Sequence, residues 1–331
     1  MKKIKSFGIL GVGTYVPERI MTNFDLEKIV ETSDEWIQKM TGIKERRIAA
    51  PDEATSDLAY KAALKALESS NTKAEELDLI VVATMTPDYF TPSVSAILQK
   101  RLGAHHAAAF DLGAACSGFV YALEAGGNFI ATGIYKKVLV IGAEVFSRIL
   151  DWEDRNTCVL FGDGAAAAVL GEVEEGYGLI GTHLGADGDL DDVLIIPSGG
   201  SREPATHETV DKRGHFLKMK GPEVFKFAVK VMPGAVQKVL ENTGIKIEDL
   251  ELIIPHQANM RIINSAAKRL KFPVEKFVVN LDRYGNTSAA SVGLALGEAL
   301  EKGKIKKGDN IALVGFGAGL TYASCVMKWA Y

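Results

Sequence analysis

Residues 75–81 read EELDLIV, and the same pattern returns 173 residues later as EDLELII at residues 248–254. A second stretch, VLVIG at residues 138–142, returns at the same spacing as IALVG at residues 311–315. Each of the four stretches contains a short aliphatic run, which is typical of strands buried on both faces of a sheet. Because two separate segments share one spacing, the sequence indicates a duplicated α/β unit.

Amphipathic stretches alternate with these strands, at residues 56–69 in the first copy and 224–242 in the second. Helices at these places would cover the two sheets, and no low-complexity linker separates the copies. We predict an α/β fold made of two similar halves, residues 1–174 and 175–331. Ligands of such folds bind beside the carboxyl ends of the strands, so we expect the active site between the halves.

The composition is that of an ordinary soluble protein, since 47% of the 331 residues are hydrophobic and 24% are charged. A formal net charge of −4 gives no basic excess for nucleic acid, so an anionic partner would need a local basic patch. The longest uncharged stretch, residues 310–327, is broken by glycines and slightly short for a membrane span. The chain has three dispersed cysteines, too few for a disulfide framework, which predicts a cytoplasmic protein. The apolar stretch after the basic Met1–Lys5 is short and broken by glycine, so we expect no signal peptide.

Cys116 lies in a run of small residues, GAACSG at residues 113–118, which precedes the helical spacing of FVYAL at residues 119–123. This pattern predicts a thiol at the N-terminus of a helix, where free N–H groups and the helix dipole favour the thiolate. A thiolate is a strong nucleophile, so the position indicates covalent chemistry. The residues alone leave a second interpretation open, a small buried side chain in a glycine-rich turn.

Two polar residues of the second half lie at comparable places. His256 follows a buried strand, and the repeat aligns it with Ala83, where the first half's strand ends. Asn286 precedes small residues that open a helix, as Cys116 does. Taken alone, His256 is equally well interpreted as a core or turn histidine, and an asparagine placed like Asn286 is most often a helix cap. The glycine-rich GFGAG at residues 315–319 is suited to donating N–H groups to an oxyanion, or to forming a tight turn.

Four motifs follow one another along the chain: GAACSG at residues 113–118, PHQAN at 255–259, YGNTS at 284–288 and GFGAG at 315–319. Together they resemble the β-ketoacyl-acyl-carrier-protein synthase III family, the initiating condensing enzymes of bacterial type II fatty-acid synthesis. The resemblance runs from Gly8 to the C-terminus. It implies a thiolase-like fold with a five-layered αβαβα core, an acyltransferase activity and a homodimer.

The resemblance also implies a mechanism. Cys116 takes an acyl group from acyl-CoA, and malonyl-acyl carrier protein then loses CO₂ and attacks that group. His256 Nε2 and the Asn286 amide are expected to stabilise the enolate, while backbone N–H groups of Cys116, Gly317 and Ala318 hold the oxyanion. No metal and no redox cofactor are expected.

Residues that hold the substrates follow from the same resemblance. The positions that match CoA-binding residues are Trp36, Arg155, Gly221 and Asn259. The positions that match the acidic carrier protein's binding segment are Gln257, Ala258, Asn259, Met260 and Arg261, with Lys226 and Lys268 as further cations. For the lysines, an ordinary solvated helix face is the alternative.

The chain departs from the family pattern at two positions. Met40 stands where relatives carry an arginine near the CoA phosphates, so Lys39 or Lys44 is the expected substitute. Thr91 stands where acetyl-preferring members carry a phenylalanine that closes the acyl pocket across the dimer interface. We therefore expect longer or branched primers to be accepted, unless the adjacent Phe90 restores the plug.

Three other functions stay open at this stage. A related condensing enzyme of secondary metabolism would carry the same three residues but ignore malonyl-acyl carrier protein. A papain-type hydrolase of thioesters needs only the Cys–His pair. A binding scaffold without catalysis is disfavoured because all three polar residues are present.

Overall fold

The two copies of the repeat form corresponding pairs of parallel strands in two separate sheets. In the computed structural model, which describes residues 4–331, Ile80 pairs with Leu139 and Ile253 pairs with Ala312. Adding the repeat spacing of 173 residues to the first pair gives the second pair, so the duplicated strands have the same register. The first three residues, part of the basic opening considered above, lie outside the described range.

Thirteen strands occur within residues 4–331. In chain order they are β1 (Phe7–Tyr15), β2 (Arg19–Thr22), β3 (Glu45–Ile48), β4 (Leu79–Ala83), β5 (Ala108–Leu112), β6 (Lys137–Glu144), β7 (Gly164–Glu172), β8 (Gly178–Ala186), β9 (Leu194–Ile195), β10 (Lys218–Met219), β11 (Leu250–Pro255), β12 (Asn310–Gly317) and β13 (Thr321–Lys328).

Eleven α-helices occur in the same range. They are α1 (Asn23–Leu26), α2 (Asp34–Thr41), α3 (Thr55–Ser69), α4 (Val94–Leu102), α5 (Gly118–Ala131), α6 (Arg155–Cys158), α7 (His207–Asp211), α8 (Gly221–Thr243), α9 (Met260–Leu270), α10 (Leu281–Tyr284) and α11 (Ser291–Glu301).

The two main sheets have matching strand orders. The first runs β1-β7-β6-β4-β5 and the second β8-β13-β12-β11, with the same alternation of antiparallel and parallel pairs. The counterpart of β5 in the second sheet is reduced to one parallel bridge between Ile253 and Phe277. Two further sheets have two strands each, β2 with β3 and β9 with β10.

The helices form three layers around the two sheets. Helices α3 and α4 cover the outer face of the first sheet, and α8 and α9 cover the outer face of the second. Helices α5 and α11 lie between the sheets, where they share one hydrophobic core with residues of both. The order is therefore αβαβα, which confirms the predicted five-layered fold.

The composition of β7 explains how the layers come so close. Its buried run Ala165–Ala168 presents only methyl groups, so α3 approaches the first sheet from one side and α11 from the other.

Along the chain, the last strand of the first sheet ends at Glu172 and the first strand of the second sheet begins at Gly178. The proposed boundary at residues 174 and 175 lies between them and stays a prediction. No helix within residues 4–331 is long and apolar enough to cross a membrane.

Candidate active site

A cavity of about 110 Å³ brings together the three residues that the motifs single out. Cys116, His256 and Asn286 all line it, although they lie up to 170 residues apart in the chain. All three are buried, at 4%, 2% and 7% exposure, and the remaining walls are mainly apolar. Charge that develops in such a site is poorly screened by water, so correctly placed donors have a large effect there.

Cys116 lies in a tight 3-10 turn, residues 115–117, directly before α5. Ala115 adopts a left-handed backbone with φ of 45°, which turns the chain sharply out of β5 and into the helix. Ser117 and Thr321 both donate hydrogen bonds to the Ala114 carbonyl, at 2.7 and 2.8 Å, and hold this turn against β13. The predicted position at a helix N-terminus is therefore what the structure shows.

Burial of Cys116 opposes the thiolate that the helix N-terminus favours. Burial raises the pKa of the Cys116 thiol to about 12, an effect larger than the helix terminus offsets. The sequence pattern shows the helix terminus but not the depth at which it lies. Cys116 is thus a neutral thiol at rest, and its proton must leave during the reaction.

His256 follows β11 and is also uncharged at neutral pH. Burial lowers the pKa of its imidazole to about 3. Its backbone N–H donates to Val314 at 2.7 Å, and Nδ1 lies 2.6 Å from the Ser291 hydroxyl. Since Ser291 occupies Nδ1, the nitrogen left for the cavity is Nε2.

The side chain of Asn286 is oriented by a neighbour in its own loop. The Ser288 backbone N–H donates to Asn286 Oδ1 at 2.8 Å, so the amide NH₂ is left for the cavity. Its backbone is tied to Leu160 and Gly162 by bonds of 2.8 and 3.0 Å. The amide is therefore held as a donor, as the predicted role requires.

Gly317 lies against the Cys116 turn. A Cβ atom placed on Gly317 would lie 2.5 Å from the Cys116 backbone nitrogen, so only glycine allows this approach. The adjacent Ala318 lines a second cavity, of about 380 Å³, on the other side of Cys116. The structure thus places Gly317 and Ala318 beside Cys116, and their role as oxyanion donors stays a prediction.

The second cavity is mostly apolar, with walls that include Met85, Phe146, Phe161 and Leu217. Thr91 lines neither cavity of this single chain, and the side chain of its neighbour Phe90 is 90% exposed. The predicted gate role of Thr91 depends on a partner subunit and stays a prediction.

The four predicted CoA-binding residues divide into two groups. Gly221 and Asn259 line the first cavity. Trp36 and Arg155 lie outside it and touch each other, with the guanidinium carbon 5.4 Å from the ring centroid. An aromatic base would need to separate the two side chains before it could lie between them.

The cation beside Met40 is Arg261, whose guanidinium lies 4.0 Å from the Met40 sulfur. Asn259 connects the Met40 and Arg261 backbones, because its amide donates to the Met40 carbonyl at 3.0 Å and its Oδ1 accepts from the Arg261 backbone N–H at 2.8 Å. Arg261 is therefore a cation beside Met40, and the expected substitution by Lys39 or Lys44 stays a prediction.

The carrier-binding segment is accessible only in part. Arg261, Lys226 and Lys268 are exposed on α8 and α9, while Ala258 and Met260 are half-buried. Gln257 is 1% exposed, and its amide bonds with the carbonyls of residues 255 and 278 and the N–H groups of residues 280 and 281. Its predicted contact with a carrier protein is wrong, because this side chain is fully occupied inside the fold.

Sequence reasoning missed three residues that support the site: Ser288, Ser291 and Glu144. Ser288 ends the quoted YGNTS motif and Ser291 begins α11, and in the sequence both stand out only as small residues. Glu144 is a carboxylate at the end of β6, after the apolar residues 138–143, and a charge at the end of a buried strand is the signal that could have drawn attention to it.

Two family descriptions match the chain. 3-Oxoacyl-[acyl-carrier-protein (ACP)] synthase III matches residues 110–188, and its C-terminal description matches residues 240–329. A β-ketoacyl-[acyl-carrier-protein] synthase III of Caldanaerobacter subterraneus subsp. tengcongensis is 61% identical over 323 residues, 98% of each chain.

Solved structures agree with these matches. The 3-oxoacyl-[acyl-carrier-protein] synthase III of Aquifex aeolicus superposes with a TM-score of 0.90 at 47% identity, over 98% of this chain and all of that one. The priming β-ketosynthase of the R1128 polyketide pathway superposes with a TM-score of 0.92 at 37% identity, over 99% of this chain and 97% of that one.

The fold and the cavity define a thiolase-like condensing acyltransferase. Within that class, the chain belongs to the β-ketoacyl-[acyl-carrier-protein] synthase III family. It carries out the initiating condensation of fatty-acid synthesis.

Proposed function

We propose that Cys116, His256 and Asn286 perform a decarboxylative Claisen condensation of an acyl-CoA primer with malonyl-acyl carrier protein. The products are 3-ketoacyl-acyl carrier protein, CoA and CO₂. The observation that carries this proposal is the convergence of a thiol, an imidazole and a carboxamide in one buried cavity. Family membership supports the substrates.

The first step transfers the primer to Cys116. The sulfur attacks the thioester carbonyl while its proton passes to His256 Nε2, since both groups are neutral at rest. The tetrahedral oxyanion accepts hydrogen bonds from the backbone N–H groups around Gly317. Collapse expels CoA, whose sulfur takes the proton from His256, and leaves an acyl-enzyme.

The second step makes the carbanion. Malonyl-acyl carrier protein loses CO₂, and the resulting enolate oxygen accepts hydrogen bonds from His256 Nε2–H and the Asn286 amide. The Ser291 hydroxyl accepts from the Gln257 N–H at 3.5 Å and donates to His256 Nδ1, which keeps the proton on Nε2. In the first step the same hydroxyl accepts from Nδ1–H instead, so between the steps the imidazole changes tautomer by exchanging protons with water at the cavity mouth. The carbanion then attacks the acyl carbonyl and expels Cys116 as a thiolate, which takes up a proton from water, and no metal or redox cofactor is needed.

The carrier protein would dock beside α8 and α9. Lys226, Arg261 and Lys268 are exposed there and form no ion pair with any residue in the part of the chain that the structure describes. Unpaired cations near a cavity mouth attract an acidic protein even when the whole chain carries a net charge of −4. CoA would reach the same mouth past Gly221 and Asn259, with Trp36 and Arg155 holding its adenine.

We also propose a homodimer that works in the cytoplasm. Strand β5 is an edge of the first sheet and exposes Phe110, and Phe90, in the segment before α4, is also exposed. An open strand edge with exposed aromatic rings is suited to pairing with a second copy. All three cysteines are free thiols, which suits a reducing compartment.

Intact-mass spectrometry after incubation with acyl-CoA tests the first step, and CO₂ release on adding malonyl-acyl carrier protein tests the second. We expect an acyl adduct on Cys116 that Cys116→Ser abolishes, followed by CO₂ release. Thioester hydrolysis without CO₂ would indicate the Cys–His hydrolase instead. Acylation with indifference to malonyl-acyl carrier protein would indicate a condensing enzyme of secondary metabolism, the class of the polyketide neighbour.

A further inference from the structure

A buried carboxylate lies beneath the nucleophile and has no role in the scheme above. Glu144 ends β6 and is 0% exposed. Its Oε2 accepts hydrogen bonds from the hydroxyls of Thr84 and Thr86 at 3.2 and 2.7 Å, and the Met85 N–H lies 3.1–3.2 Å from both oxygens. Its Oε1 accepts from the Ser288 hydroxyl at 3.1 Å. Four donors around one carboxylate fix its position in the core.

Ser288 connects this carboxylate to two of the three site residues. Its backbone N–H donates to Asn286 Oδ1, and its hydroxyl donates to Glu144 Oε1. Ser288 and Cys116 also line the same second cavity, and hydrogen bonding by the Ser288 hydroxyl lowers the pKa of the Cys116 thiol. Ser288 itself has a left-handed backbone, with φ of 48°, and is completely buried. A serine held in this conformation inside the core has few ways to turn its hydroxyl.

We propose that Glu144 is a positioning residue that sets the reactivity of Cys116 through Ser288. A serine hydroxyl carries one proton, so it donates either to the Glu144 carboxylate or to the Cys116 thiolate, but not to both. While Glu144 is charged, it takes the proton and leaves the sulfur without a donor. When Glu144 carries a proton, it donates to Ser288, and the hydroxyl is free to stabilise the thiolate. This inference rests on the proposed role of Cys116 as the nucleophile.

The electrostatics of the site agree with this geometry. Burial raises the pKa of Glu144 to about 7. The Glu144 charge adds to burial in raising the pKa of Cys116, whereas the Ser288 hydroxyl lowers it. The groups that face Glu144 are Thr84, Met85, Thr86, Ser288 and Cys116, and of these Cys116 alone is titratable. The two groups are therefore coupled.

The variant Glu144→Gln tests the inference, because glutamine is isosteric and imitates the protonated carboxyl. Its oxygen would accept from the Met85 N–H and the threonines, and its NH₂ would donate to Ser288. We expect the pH midpoint for alkylation of Cys116 by iodoacetamide to fall by about one unit. This is roughly tenfold faster reaction at pH 9, where Glu144 is charged in the unmodified protein, and about twofold at pH 7, where half of Glu144 already carries a proton. Mass spectrometry of the modified peptide assigns the site.

Two further variants separate this effect from general damage. In a Ser288→Ala background, the shift caused by Glu144→Gln should shrink, because the hydroxyl that transmits it is gone. Asp163→Asn is the matched control: Asp163 is another completely buried carboxylate, bonded to the N–H groups of Ala49 and Ser147 and to the Ser147 hydroxyl. We expect its alkylation profile to match that of the unmodified protein.

An unchanged or raised midpoint in Glu144→Gln would overturn the inference, as would a shift that persists in full without Ser288. A similar shift in Asp163→Asn would also overturn it, since loosened packing would then explain both results. Alkylation needs no acyl-CoA, so failure of Cys116 to accept an acyl group would refute the proposed function and leave this measurement interpretable.

Discussion

Replacing Asn286 by aspartate is the sharpest test of how the cavity stabilises the enolate. Aspartate has the shape of asparagine, and one of its oxygens can still accept from the Ser288 N–H, which lies 2.8 Å from Oδ1. The other oxygen replaces the NH₂ group that faces the cavity. The substitution therefore keeps the position of the side chain while it converts a donor into a negative charge.

The expected loss follows from two effects. Removing one preorganised donor from an oxyanion costs about 3 kcal/mol, or roughly 10²–10³ in rate. A carboxylate beside the forming enolate adds repulsion between like charges, about 4 kcal/mol for a pair 4 Å apart at an effective dielectric constant of 20. We expect decarboxylation to fall by more than about 10³-fold in Asn286→Asp, and by about 10²–10³-fold in Asn286→Ala, which lacks the charge. Formation of the acyl-enzyme should fall by less than about tenfold, because its oxyanion is held by backbone N–H groups.

The assay measures CO₂ release from malonyl-acyl carrier protein beside the mass-spectrometric rate of Cys116 acylation. Asn310→Asp is the control, because Asn310 lies at the start of β12, at the end of the strand opposite Gly317. A purely steric role would make the isosteric aspartate the milder variant. If Asn286→Asp retained more decarboxylation than Asn286→Ala, or if both steps fell together, the assignment of Asn286 as an enolate donor would be refuted.

Three further predictions concern stability and substrates. Because burial lowers the folded-state pKa of His256 from 6.5 to about 3, the unfolded chain binds more protons between these values. The free energy of unfolding should then decline as pH falls from 6.5 to 3, by at most about 5 kcal/mol, and urea unfolding of His256→Gln should show a shallower decline. Trp36→Ala should raise KM for acyl-CoA about tenfold at unchanged kcat. Equal KM values in the variant and the unmodified protein would refute the assignment of Trp36 to the CoA site. When acetyl-CoA and an eight-carbon acyl-CoA compete as primers, Thr91→Phe should use a larger share of acetyl-CoA than the unmodified protein does. Strict preference of the unmodified protein for acetyl-CoA would refute the prediction.

Most of the fold could be predicted because its main signal is local and repeated. The aliphatic runs and their common spacing specify strands of one register, and the structure pairs Val81 with Val140 as it pairs Ile254 with Leu313. Such runs need no knowledge of distant contacts, since their pattern states which faces are buried.

The electrostatic state of the site could not be predicted in the same way. A helix N-terminus is visible in the sequence, but the burial that raises the pKa of Cys116 depends on distant segments of both halves, such as Gly317, which lies against its turn, and Phe161. The buried position of Gln257 was hidden for the same reason, because its four bonds are made with segments that fold over it. Motif position places a residue near a site but does not show which way its side chain points.

The duplication also explains why the three site residues come from different halves. The repeat spacing aligns each of them with a glycine or alanine in the other copy: His256 with Ala83, Asn286 with Gly113, and Cys116 with Ala289. These small residues leave the space that the site occupies. A Cβ on Gly118, in the first turn of α5, would lie 2.8 Å from the Ala83 Cβ and 3.4 Å from that of Ala289, so larger side chains at those two positions would displace the helix that carries Cys116. Two identical halves would keep the strand register, but side chains as large as Cys, His or Asn at both aligned positions would fill the cavity. Catalysis therefore requires a functional side chain in one copy and a small residue at the aligned position of the other.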